Sequence, residues 1–219
     1  VLDYGMVIVD ECHHAPAVNF ERVLKKVNAR YVYGLTATPI RKDGHQPIIF
    51  MQCGKIRHTV SSKTQQEQQT FQRLLIPRFT SYRHLEKEAS YPSVLPELIR
   101  NDARNKLIID DVAKVLEERR TPIILTERTA HVDILVEECR KICKNVIRLI
   151  GNESAKAKRE VMELLKAVPD SEPLVVVATG RYVGEGFDLP RLDTLMLALP
   201  VSWKGLIAQY TGRLHRNYE

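Results

Sequence analysis

The chain has 219 residues, 44% of them apolar and 27% charged, a balance ordinary for a globular protein of one or two domains. No apolar run approaches the roughly 20 residues that a bilayer span requires, so a membrane partner is not expected. Four cysteines make no disulfide framework, and reduced thiols in a cytoplasmic setting are expected. The net charge of +6 is spread evenly, with eight Lys/Arg against five Asp/Glu in residues 1–60 and 25 against 22 in the remainder. A polyanion is therefore expected to bind at a local patch, not at a basic tail.

The first element is Met6-Val7-Ile8-Val9, an apolar run ending in Asp10-Glu11-Cys12-His13-His14. Such a run reads as a strand buried on both faces, delivering two carboxylates to the carboxyl edge of a parallel sheet, where open α/β sheets place their chemistry. One carboxylate can hold a hydrated cation while its neighbour faces a water molecule; an acidic turn without a role is the alternative. Ala15-Pro16 can open a helix carrying Val18, Val23, Leu24 and Val27 on one face. Tyr31 to Leu35 is a second strand, delivering Thr36-Ala37-Thr38-Pro39 to the same edge.

Ile56 to Val60 is predicted as a closing strand, followed by the wholly polar stretch Ser61 to Gln69 as a linker. The organisation expected is residues 1–60 as one unit, 61–70 as linker and 71–219 as a second unit, with a cleft between the two. At about 60 residues the first unit is marginal for an independent core. The second opens with a strand over Leu74-Leu75-Ile76 and a helix from Leu95 to Glu118 broken near Asn101. Strands at Pro122–Leu125, Val146–Ile150, Leu174–Ala178 and Leu192–Leu199 then follow, with helices over Ala130–Ile142, Ala155–Ala167 and Leu206–Arg216. Alternation of this kind predicts a helix-flanked parallel sheet.

Two further stretches carry chemistry. Gly184-Glu185-Gly186-Phe187-Asp188 follows a strand, where glycines admit close approach of a ligand and a carboxylate can meet a sugar hydroxyl. In Gln209 to Arg216 (Q-Y-T-G-R-L-H-R), Arg213 and Arg216 share one helical face with Gln209 a turn earlier. Their forks suit a phosphate, although a solvated basic helix end has the same pattern.

The ordered set D-E-C-H, T-A-T-P, T-G-R-Y-V-G-E-G-F-D and Q-Y-T-G-R-L-H-R resembles motifs II, III, V and VI of superfamily 2 helicases, over nearly the whole chain. It resembles the DExH branch that includes DNA-repair translocases and the motor subunits of type I and type III restriction enzymes. Cys12-His13, Thr36 and Gln209 depart from the DEAD-box RNA helicase pattern, which favours DNA as the nucleic-acid partner. The resemblance implies two RecA-like parallel-sheet domains, ATP and Mg²⁺ as cofactors, and ATP hydrolysis coupled to movement on the strand.

Residue by residue, the resemblance implies that Asp10 holds Mg²⁺ through water, Glu11 orients or deprotonates the attacking water, and His13 couples this site to the last motif. Thr36 and Thr38 would link hydrolysis to domain movement, Asp188 would approach the ribose or the domain interface, and Arg213 and Arg216 would be arginine fingers. Gly184, Gly186 and Gln209 fall in the nucleotide-binding motifs. Thr126, Arg128 and Thr179 would meet the nucleic-acid backbone.

No G-x-x-x-x-G-K-[ST] phosphate loop occurs in the chain. The expectation is a first domain truncated and lacking its P-loop half, a fragment inactive by itself, with an open sheet edge at Met6 to Asp10 prone to self-association. Other subunits or domains of a restriction or repair system would complete it. Rival readings are a metal hydrolase built on Cys12, His13 and His14, and a helicase-like module that binds DNA or protein without hydrolysis. Cys139 and Cys143 are expected as buried thiols, and Trp203 as packing against the last helix.

Overall fold

The computed structural model describes residues 4–14, 18–36, 46–60, 74–85, 90–151, 154–180, 182 and 189–200. Two compact units divide the chain at Pro77/Arg78.

In the first unit, β1 (Met6–Val9) pairs in parallel with β2 (Tyr31–Gly34), register Met6 with Tyr31 through Val9 with Gly34. A 3-10 turn (Cys12–His14), helix α1 (Val18–Leu24) and helix α2 (Gln46–Cys53) accompany them. Val9, Cys12 and Ile49 form the core, with Val7, Leu24, Val32 and Cys53 packed against it. Because strand side chains alternate, burying Val7, Val9 and Val32 on one face commits Met6, Ile8, Tyr31 and Tyr33 to the other, where all four are exposed. Thus β1 is buried on one face, not the two expected from its unbroken apolar run. On the open face the Tyr31 and Tyr33 rings stack at 6.5 Å and the Arg30 guanidinium lies 5.4 Å from the Tyr31 centroid.

Three local expectations fail here. Val23, assigned to the inward face of α1, is exposed. Ile56 to Val60 and Leu74 to Ile76 are not strands: neither segment has regular structure, and Ile56, Val60, Leu74, Leu75 and Ile76 are all exposed. Both segments are β-prone in composition, but strand propensity needs a ladder partner and a surface to pack on, and neither has one. The helix α2 was not foreseen; Pro47 stands in its first turn, where its missing N–H costs nothing.

In the second unit, the predicted helix over 95–118 is α3 (Tyr91–Arg100) and α4 (Asp102–Glu117), broken at Asn101 as expected. Asn101 caps α4, its side-chain oxygen accepting the Arg104 N–H at 2.9 Å. The elements β3 (Pro122–Thr126), α5 (Thr129–Arg140), β4 (Asn145–Leu149), α6 (Ala155–Ala167), β5 (Leu174–Thr179) and β6 (Thr194–Leu197) follow. The four strands form one parallel sheet in the order β4-β5-β3-β6.

Alternate residues of the two central strands feed opposite layers. Ile123, Leu125, Val176 and Ala178 pack with Leu165 of α6; Ile124, Val175 and Val177 pack with Val112 of α4 and with Val132, Leu135 and Val136 of α5. Helices therefore cover both faces, which is why β3 and β5 read as continuous apolar runs. Cys139 and Cys143 lie in this core as expected, and burial pushes the Cys139 thiol up to about 12. No helix of the described residues is long and apolar enough to cross a membrane.

Candidate nucleotide and nucleic-acid sites

Past the end of β1 the chain turns sharply. Glu11 has φ 47°, the left-handed region that non-glycine residues enter at a cost, and its N–H donates to Asp10 Oδ1 at 2.9 Å. The ladder between the strands continues beyond their ends: the Leu35 N–H donates to Val9 O and the Cys12 N–H to Leu35 O, both at 2.9 Å. These bonds clamp the acidic turn against the residues after β2.

The result is a cluster drawn from two segments. His13 Nδ1 lies 2.9 Å from Thr36 Oγ1 and 3.2 Å from Glu11 Oε2. Glu11 keeps about half its side chain in solvent while that of His13 is largely covered, an arrangement that holds a carboxylate in place yet leaves it open to water. Asp10 is also exposed. One of its oxygens accepts the Glu11 N–H. Among the described residues no group of three His, Cys, Asp or Glu converges to hold a metal by itself.

Gly34 is the residue this turn depends on, and its sequence context offered no hint of it. A Cβ at Gly34 would lie 2.8 Å from Cys12 Sγ, so the turn can approach β2 only where no side chain intervenes. Burial raises the pKa of both Cys12 and Cys53, and the two thiols interact.

In the second unit, Thr126 and Thr179 are ladder partners at the carboxyl edge of adjacent strands. Neither hydroxyl is simply offered to solvent. Thr179 Oγ1 accepts the Gly151 N–H at 3.2 Å, and Thr126, almost wholly buried, lies 2.9 Å from His131 Nδ1. His131 Nε2 is 3.0 Å from Asn105 Oδ1, and Asn105 Nδ2 donates to Ile99 O at 2.8 Å. Since Asn105 offers an oxygen to Nε2, that nitrogen carries the proton and Nδ1 accepts from the Thr126 hydroxyl. Arg128, in contrast, is exposed at the start of α5, where no side chain caps the helix. The network through Asn105 and His131 was not foreseen; its sequence signal is a histidine on the apolar stripe of α5 and an asparagine within α4.

Burial, with the Arg104 charge as a secondary cause, lowers the His131 pKa from 6.5 to about 4. The folded unit therefore holds a neutral ring where the unfolded chain takes up a proton. Stability is complete above pH 6.5 and falls as pH drops toward 4, by on the order of 3 kcal/mol, levelling below that. Urea unfolding of wild type and His131→Asn at pH 7, 5.5 and 4.5 checks this. The wild type is expected to lose more stability than the variant, and equal losses would refute the assignment.

Of the predicted site residues, Asp10, Glu11, His13 and Thr36 thus lie together, and Thr126 and Thr179 are neighbours with Arg128 just beyond β3. Thr38, Gly184, Gly186, Asp188, Gln209, Arg213 and Arg216 lie outside the described residues, as do Trp203 and the helix expected over 206–216.

Parallel sheets with chemistry-bearing residues at their carboxyl edges, one of them covered by helices on both faces, define an α/β protein of the RecA-like class. The family model for "Type III restriction enzyme, res subunit" matches residues 2–41. Protein 161L of Invertebrate iridescent virus 6, described as a helicase, is 30% identical over 97% of this chain and 48% of its own length. Protein L396 of Acanthamoeba polyphaga mimivirus, described as an ATP-dependent RNA helicase, is 24% identical over 98% of this chain and 41% of its own length. The chain thus spans less than half the length of these relatives. Among solved structures, the ATP-dependent type ISP restriction-modification enzyme LlaBIII bound to DNA matches all of this chain and 17% of its own, with a TM-score of 0.53 at 16% identity, a likeness of fold. Over nearly its whole length the chain is thus similar to proteins described as helicases, and over residues 2–41 to a restriction-enzyme subunit family.

Proposed function

We propose that this chain is part of an ATP-dependent DNA helicase or translocase, in which Asp10 and Glu11 act on the nucleotide and the turn containing Cys12 and His13 passes the state of that site to Thr36. The observation that carries this reading is that Glu11 and Thr36 each lie within 3.2 Å of His13 Nδ1. A carboxylate, an imidazole and a hydroxyl from two strand ends form one bonded unit, so a change in what Glu11 binds is felt at the segment after β2.

In this reading Asp10 would hold Mg²⁺ through water, the ion would lend its charge to the phosphates, and Glu11 would orient or deprotonate the attacking water. Arg213 and Arg216 stabilise charge on the transferred phosphoryl group; Thr38, Gly184, Gly186, Asp188 and Gln209 bind nucleotide or couple the two units. Arg128 takes a backbone phosphate at the open start of α5, while Thr126 and Thr179 hold the strand ends that present it. The preference for DNA rests on the departures from the DEAD-box pattern at Cys12, His13, Thr36 and Gln209.

The test is ATP turnover by the full-length protein, alone and with single-stranded DNA, duplex DNA and RNA. Stimulation by DNA well above that by RNA is expected. Stimulation by RNA alone would overturn the DNA assignment, and DNA binding with no hydrolysis would replace the motor with a binding module.

A further inference from the structure

Two cysteines far apart in sequence meet beside the acidic turn. Cys12 opens the 3-10 turn directly after Glu11, and Cys53 is the last residue of α2. A Cβ on Gly34 would be 3.0 Å from the β-carbons of both, so the two β-carbons are at most about 6 Å apart, against the roughly 3.5–4.5 Å that a disulfide requires. Closing that gap takes a shift of at most about 2 Å. Cys53 is half-buried at a helix end, followed by Gly54 at φ 80°. Neither cysteine is in a disulfide in the structure.

We propose that Cys12 and Cys53 form a reversible disulfide that ties α2 to the acidic turn and slows the hydrolysis assigned to it, with a peroxide as oxidant. The more exposed Cys53 sulfur attacks one peroxide oxygen and the O–O bond breaks, leaving a sulfenic acid at Cys53 and, with the thiol proton, one water. Cys12 sulfur then attacks the sulfenic sulfur. The S–S bond forms, the S–O bond breaks, and the hydroxyl leaves with the Cys12 proton as a second water. Two thiols together lose two electrons, and hydrogen peroxide is reduced to two waters. A dithiol reverses the bond by exchange.

The consequence follows from position. Glu11 precedes Cys12 and His13 follows it, so a bond from Cys12 to α2 removes freedom from both sides of the turn. The effect on rate rests on the proposed function; the formation of the bond does not.

The test treats the full-length protein with hydrogen peroxide, quenches it with catalase, blocks remaining thiols and maps peptides by mass spectrometry. A linked peptide joining Cys12 to Cys53, about 2 Da lighter than its parts and split by dithiothreitol, is expected. Cys53→Ser and Cys53→Ala should give no internal link. A link only between chains, a link through Cys139 or Cys143 instead, or oxidation of Cys53 without a link would overturn the proposal. ATP turnover is measured on the same samples. A several-fold fall in oxidised wild type, restored by dithiothreitol and absent in both variants, is expected. A linked protein turning over at the reduced rate would overturn the regulatory claim. Reduced protein without any turnover would overturn the functional reading, and the peptide map would still decide whether the bond forms.

Discussion

Replacing Glu11 by glutamine is expected to lower ATP turnover by the full-length protein about 10³-fold, equivalent to about 4 kcal/mol of barrier, while leaving nucleotide binding within a few-fold of wild type. The size follows from what the amide retains and what it lacks. Glutamine has the shape of glutamate and an oxygen able to serve as partner to His13 Nδ1, now 3.2 Å from Glu11 Oε2. The turn, held independently by the Cys12 and Leu35 backbone bonds, should keep its form. What disappears is a base for the water proton and a negative charge beside the phosphates. Turnover and nucleotide affinity measured on the same preparation separate the two effects. A variant that turns over within a few-fold of wild type would remove Glu11 from the chemistry and leave His13 and Thr36 as a structural pair.

Truncating Leu135 to alanine is expected to destabilise the second unit by about 2–5 kcal/mol. Leu135 is fully buried on α5, in the cluster with Val112, Ile124, Val132, Val136, Val175 and Val177, which joins α4 and α5 to one face of the sheet. Interiors this closely packed relax only partly around a deletion, so the lost transfer energy is joined by the cost of a cavity. Leu164→Ala is the control. Leu164 is a leucine on α6 that stays mostly exposed, and its truncation should change stability by no more than about 0.5 kcal/mol. Urea unfolding with an unchanged denaturant slope measures both. Equal losses for the two leucines would mean that the face under α5 is not the stabilising one.

The central strands show why much of the second unit was legible in advance. Val175, Val176 and Val177 are consecutive, and only a strand covered on both faces buries such a run. The same inference applied to Met6-Val7-Ile8-Val9 placed the strand correctly and its burial wrongly. A run of four apolar residues specifies the strand, but whether its second face is covered depends on elements packing from elsewhere. Leu74-Leu75-Ile76 carries the lesson further: with no neighbouring strand, a strongly β-prone triplet has no hydrogen-bonding partner and forms no strand.

By itself the sequence determined most of the described elements of the second unit, the parallel class of the sheets, and the position of Asp10, Thr36, Thr126 and Thr179 at or just past strand ends. Those properties follow from local periodicity, turn chemistry and the spacing of strands and helices. Only the tertiary structure decided that His13 bridges Glu11 and Thr36, that Gly34 must lack a side chain for Cys12 to pack there, and that the Thr126 hydroxyl turns inward to His131 and Asn105. Each joins segments distant in the chain, and a pairing of that kind leaves no periodic trace in either segment. It arises when two strand ends are clamped in register and the polar groups beside them must find partners away from water.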